Sequence, residues 1–119
     1  LEGHVKKEKG HIELAFSLDW PNRPKRVYDP EKGKLGITDW EVVNIETEST
    51  RVTFYPITGR THQLRVHAAH ELGIGHPIIG DTLYGNEELG DRLMLHSSHL
   101  SFDHPNTGQR LCFDMPAPF

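Results

Sequence analysis

Between Thr58 and His67 the chain reads TGRTHQLRVH and runs on into AAHEL, gathering two arginines, two histidines and a glutamine in one short stretch. A guanidinium can hold a carboxylate or a phosphate in a fork, so Arg60 and Arg65, with Gln63 between them, have the makings of an anion site. The branched and aromatic run that ends at Ile57, the turn at Thr58 and Gly59 and the residues after it predict a strand-to-helix corner. At such a corner Arg60 would lie beside the first free amides of the helix. A plainer reading has Arg60 paired with a nearby acid and His62 satisfying a core carbonyl. Residue types alone leave both open.

Other chemistries find less support. His67 and His70 stand three apart and could face one ion on a helix, but no HExxH occurs, and His96, His99 and His104 follow no ligand spacing, so no metal is expected. No GxSxG is present, and Cys112 sits in an alternating run opposite Leu111 and Phe113, which disfavours a hydrolase nucleophile. The stretch from Asp19 to Lys34 carries Arg23, Lys25, Arg26, Lys32 and Lys34 beside Trp20 and Tyr28. Such a mixture suits phosphate contact and base stacking, or simply a solvated loop with ion pairs.

These residues must be positioned by ordinary elements. The chain has 119 residues, 35% hydrophobic and 25% charged, enough for one domain with one core. Its formal net charge of -4 excludes a uniformly basic nucleic-acid coat, so any anion-binding surface must be local. The lone Cys112 forms no internal disulfide, and no run reaches the length of a membrane span, which together lead to the expectation of a cytoplasmic chain. HIELAF from His11 to Phe16 alternates as a half-buried strand, and the proline- and glycine-rich stretch after it predicts a long irregular connection. Ile37 to Glu46 and Thr50 to Ile57 predict a hairpin across TEST. Leu64, Ala68 and Leu72 share a helical face, with Gly73 as the stop. Leu100 and Phe102, then Leu111, Phe113 and Met115, predict a last hairpin closed by PNTG, and Trp40, Phe54 and Phe102 are expected in the core. The fold class that follows is α+β: a mainly antiparallel sheet with a flanking helix.

ITGRTHQLRVHAAHELGIGHPIIGDTLYG closely resembles the GRxHQLRVH...GHPIxGDxxYG segment of RluA-type pseudouridine synthases. The flanks are similar too: GHIELAFSLDWPNRP, GKLGITDWEVV and LMLHSSHLSFDHPNTGQRLCFDMPAP each match a family segment, so the likeness covers nearly the whole chain. Two departures, Ala15-Phe16 where the family often has Pro-Leu and Gly36 where alanine is common, leave the site untouched. The family's catalytic aspartate lies in an HRLD segment and its base-stacking tyrosine in a KxYxA segment. Both precede the part that this chain resembles, and neither string occurs here.

The resemblance therefore implies that residues 1–119 are the C-terminal portion of a pseudouridine synthase catalytic domain, half of a larger sheet with an open edge. It implies isomerisation of specific uridines in ribosomal or transfer RNA, an enzyme without cofactor or metal, and the N-terminal portion of the same domain as a partner beside RNA. Arg60 matches the family's arginine that pairs with the catalytic aspartate, holding that carboxylate ionised and aimed. Leu64 matches the residue lining the uracil pocket, and Thr61, His62, Gln63 and Arg65 complete the expected pocket. Arg23, Lys25, Arg26 and His67 are the expected RNA contacts. With the aspartate absent, the isolated chain is expected to be inactive. A noncatalytic RNA-binding module on the same fold is the alternative.

Overall fold

The computed structural model describes residues 1–86 and 92–119 of the chain. Four strands form one sheet in the order β2-β1-β3-β4, where β1 is Lys9–Leu18, β2 Arg26–Tyr28, β3 Lys34–Ile45 and β4 Thr50–Pro56. Every neighbouring pair is antiparallel. Among the described residues the single α-helix, α1, is Gln63–Ala69, and a separate hairpin pairs β5, His99–Asp103, with β6, Arg110–Asp114. The fold is α+β, as the residue pattern predicts.

Alternation builds the core. Ile12, Leu14 and Phe16 of β1 point to one face and pack with Trp40 of β3, Val66 of α1 and Val5. Each such side chain taken out of water contributes about 1.5–3 kcal/mol. Gly36 lies where β3 passes under this cluster: a methyl added there would stand 2.9 Å from the Phe16 ring and 3.0 Å from His67 Nε2. The glycine thus admits a large side chain from β1 and an imidazole from α1 at one point, and an alanine would require one of them to shift.

Three expectations are corrected. The connection after Asp19 is not irregular throughout: Trp20–Asn22 make a 3-10 turn, and β2 pairs with β1 through Phe16↔Tyr28, Ser17↔Val27 and Leu18↔Arg26. Second, α1 is shorter than its apolar spacing suggests. His70 turns extended at ψ 142°, and Leu72 ends up 58% exposed, off the helical face. Third, Phe102 is not core; it stacks on Phe113 across the β5–β6 hairpin, with both rings partly in solvent. Trp40 is buried, and Phe54 is half-buried against the core. Residues 87–91, the end of the turn-rich stretch that begins at His76, lie outside the described residues. Among the described residues no helix is long and apolar enough to cross a membrane.

Candidate active site

The corner between β4 and α1 is organised by Gln63, which is buried. Its Oε1 accepts the Thr58 hydroxyl at 2.6 Å and the Arg60 backbone N–H at 3.0 Å. Its Nε2 donates to Ile37 O at 2.9 Å and to Thr38 Oγ1 at 2.8 Å. Thr38 Oγ1, having accepted from Gln63, donates to His67 Nδ1 at 2.8 Å, and His67 Nε2–H points at Leu14 O, 3.4 Å away. The chain of donors and acceptors closes only if His67 is neutral and carries its proton on Nε2. Burial lowers the His67 pKa, which agrees.

His67 is therefore no RNA contact. Its relative exposure is 0%, because its ring packs edge-on to Phe16 and bonds across to β3 and β1. The metal reading with His70 also dissolves, since His70 leaves the helix and its ring lies against Tyr28.

A second buried set holds the far side of the corner. Arg65 grips Asp81 with both arms, Nε to Oδ2 at 3.0 Å and Nη2 to Oδ1 at 2.7 Å. Asp81 is fully buried and also accepts the backbone N–H groups of Leu83 and Tyr84. Burial alone would raise this carboxyl, but the Arg65 fork and the two amides hold it below its usual range. Tyr84 O–H in turn takes the Arg26 N–H at 2.7 Å and meets His62 Nδ1 at 2.9 Å. Burial, then the charges of Arg65 and Arg26, lower the His62 pKa, so the neutral imidazole accepts the tyrosine hydroxyl. His62 adopts φ 58°, a left-handed conformation rare for a side chain of its size, and this sharp turn follows Arg60 by two residues.

The Arg60 side chain stands outside both networks. Its Nε donates to Leu35 O at 3.0 Å, and among the described residues no carboxylate pairs with it. It lines a cleft of about 340 Å³ with Gly59, Thr61, Arg26, Lys32 and Lys34, floored by the end of β1. The expected helix amides do not supply this site: the Arg60 N–H is taken by Gln63 Oε1, and the Gln63 N–H by Arg60 O. The cationic side chains supply it instead. A second cleft, of about 370 Å³ and lined by His4, Lys6, Lys7, His11, Trp40 and Ile74, lies away from Arg60.

Of the expected site residues, the structure brings Arg60, Thr61 and Arg26 together in one cleft. Gln63, Arg65 and His62 are engaged in holding the corner, and Leu64 is half-buried. Arg23 lies over the Trp20 ring at 4.4 Å and Lys25 over Tyr84 at 5.9 Å. Lys32 and Lys34 were visible as basic residues but not as site residues. What joins them to Arg60 is the β1–β3 register, Phe16↔Lys34, and a pairing register carries no mark in composition. Arg26 Nε is buried with no partner among the described residues.

Known proteins give this arrangement a family. The RNA pseudouridylate synthase family matches residues 3–70. The chain is 44% identical over 121 aligned positions to the dual-specificity RNA pseudouridine synthase RluA of Escherichia coli strain K12, covering 98% of this chain and 54% of that protein. The enzymes of the same name from Yersinia pestis and Haemophilus influenzae are 43% and 39% identical, again over 98% of this chain. The chain belongs to the RNA pseudouridine synthase family and, within it, is most usefully compared with RluA. It spans about half the length of these curated relatives.

Proposed function

We propose that the protein containing this chain converts specific uridines in ribosomal or transfer RNA to pseudouridine, and that Arg60 is the cation that pairs with a catalytic aspartate supplied from outside residues 1–119. The observation that carries this reading is the state of Arg60. Its guanidinium lies in a cleft, fixed through Nε alone, with no carboxylate partner among the described residues. Arg60 is exposed, so water satisfies the rest of its guanidinium and a carboxylate entering the cleft can replace that water with a forked pair. Here the backbone on both sides of it is locked by Gln63, while the charge is left facing a space.

The chemistry needs such a group. The target base must leave its stack, and a carboxylate must act at the glycosidic bond while remaining ionised at neutral pH. A guanidinium alongside lowers the carboxyl pKa and fixes its direction. Lys32, Lys34 and Arg26 on the cleft wall give the RNA backbone a local cationic track, which reconciles RNA binding with an acidic chain. The relatives are named dual-specificity RNA pseudouridine synthases, which supports RNA as the substrate and more than one target, and 44% identity supports carrying the activity across. In this reading residues 1–119 by themselves are inactive for want of the aspartate.

The test is a pseudouridine assay of the intact protein on ribosomal and transfer RNA. Arg60→Ala is expected to lower kcat by at least about 100-fold, the scale for removing one charge-stabilising donor at a reacting centre, with RNA affinity changed far less. Full activity in Arg60→Ala overturns the assignment of the arginine. RNA binding by the unaltered intact protein without any turnover makes it a noncatalytic binding module instead. Robust turnover by residues 1–119 alone refutes the assignment of the acid to another part of the protein.

A further inference from the structure

Tyr84 does not line the Arg60 cleft, but its hydroxyl stands between two segments that do. One wall is the corner of Gly59, Arg60 and Thr61, which His62 follows directly; the other includes Arg26, the first residue of β2. The Arg26 backbone N–H donates to the phenol oxygen at 2.7 Å, and the phenol gives its single proton to His62 Nδ1 at 2.9 Å. Among the described residues no hydrogen bond runs directly from β2 to the corner, so this hydroxyl is the short route between the walls.

Both ends of the tie are shaped for it. The Tyr84 N–H is fixed to Asp81 Oδ1 at 3.1 Å, and the Arg65 guanidinium lies over the ring at 5.4 Å, so the buried acid that grips Arg65 also aims the phenol. His62 meets the same ring edge-on at 5.8 Å and holds φ at 58°, a backbone state that persists only where its surroundings impose it. On the other side β2 is an edge strand of three residues with β1 as its one strand partner among the described residues, a short ladder that an added anchor at Arg26 steadies.

We infer that the Tyr84 hydroxyl is a positioning group for the reaction: by joining His62 to the Arg26 backbone it keeps the Arg26 wall and the Arg60 corner at one separation. The inference rests on the role proposed for Arg60. A carboxylate paired with Arg60 belongs to the enzyme and a phosphate held by Arg26 belongs to the RNA, so the spacing of the two guanidinium groups aligns the acid with the nucleotide it must attack. A misplacement of about 1 Å is enough to lower a rate by up to about 100-fold. The main chain at Arg60 is locked by Gln63 and its Nε by Leu35 O, so the corner is fixed to β3, and the phenol carries that fix across to β2.

The intact protein and its RNA supply the test. Tyr84→Phe keeps the ring and removes the tie; kcat is expected to fall about 10-fold while RNA affinity stays within about 2-fold. In an Arg60→Ala background the same change is expected to cost less than about 2-fold, because a spacing has no effect once one of the groups it serves is gone. A merely structural loss would instead multiply with that of Arg60→Ala. The partner side gives a second pair of variants. His62→Gly accepts the left-handed backbone but offers no acceptor and should reproduce the loss of about 10-fold, whereas His62→Asn tolerates that backbone, keeps an oxygen in the place of Nδ1 and should stay within about 3-fold of the parent. Amide exchange followed by NMR reads the tie without turnover: in Tyr84→Phe the Arg26 N–H should exchange at least about 10-fold faster, with the Val66 and His70 amides of α1 unchanged. Unchanged exchange at Arg26, multiplicative losses in the double variant, or a His62→Gly protein as active as its parent would each overturn the inference. Full activity in Arg60→Ala together with faster exchange at Arg26 in Tyr84→Phe would count against the catalytic reading and leave the tie standing.

Discussion

Two regions of the molecule spend their polar residues differently. At the β4–α1 corner, Thr58, Gln63, Thr38, His67, Arg65 and Asp81 are half-buried or fully buried, and their polar atoms bond to one another or to backbone. In the β5–β6 hairpin, His99 Nδ1 meets Asp114 Oδ1 at 2.7 Å and Arg110 pairs with Asp103 at 3.2 Å, on a ribbon whose faces are both largely in solvent. The distances are alike and the consequences are not. In the corner, losing one partner strands another in a site that water cannot reach, whereas in the hairpin water replaces the lost partner at little cost. Polar residues in a fold are informative about function where they are buried, because there each is kept at a stability risk.

The sharpest way to break this contrast is Asp81→Ala. It leaves the half-buried Arg65 and the Leu83 and Tyr84 amides without their acceptor, and the expected loss is about 3–5 kcal/mol in urea-melt stability. A loss below about 1 kcal/mol would mean that the corner is wet. Acid pH probes the other corner network. The folded-state pKa of His67 is depressed, so above the ordinary histidine value of 6.5 both folded and unfolded states are neutral and its contribution is whole. As pH falls below 6.5 the unfolded chain takes up a proton that the buried ring refuses, and stability drops by up to about 1.4 kcal/mol per pH unit. Imidazole nitrogen NMR isolates this group from His62, which acts in the same direction, and from His11, whose pKa Asp39 raises. His67 should show the neutral Nε2–H tautomer at pH 6, and an imidazolium signal there would contradict the burial argument. The smallest effect belongs to the hairpin: Asp103→Ala is expected to change stability by no more than about 1 kcal/mol, and a larger loss would show the exposed pair to be structural after all.

The same division explains what could be read from the residues alone. Ile12, Leu14 and Phe16 alternate because one face of β1 is core, and period-two burial shows directly in sequence. Arg60 was singled out as a candidate through the string around it. The roles of its neighbours were not, because Gln63, Arg65 and His62 find their partners in Thr38, Asp81 and Tyr84, and such long-range pairings carry no local mark. His67 misled for the same reason: a histidine beside an arginine motif suggests a surface, and only the strand register reveals Thr38 and Leu14 waiting for both nitrogens. Leu72 misled differently. Its spacing fits the helix, but His70 turns the backbone out of helical geometry before the third apolar position arrives. β2 was hidden by brevity, three residues between Pro24 and Pro30.

The molecule's two tryptophans lie at opposite extremes, Trp40 at 5% exposure with its indole over Gly10, and Trp20 at 65% under the guanidinium of Arg23. Intrinsic fluorescence therefore contains a shielded, blue-shifted emitter that reports on folding and a solvated one that a quencher reaches first. Iodide should extinguish Trp20 selectively, so one unlabelled sample can report separately on the integrity of the sheet and on events at the loop.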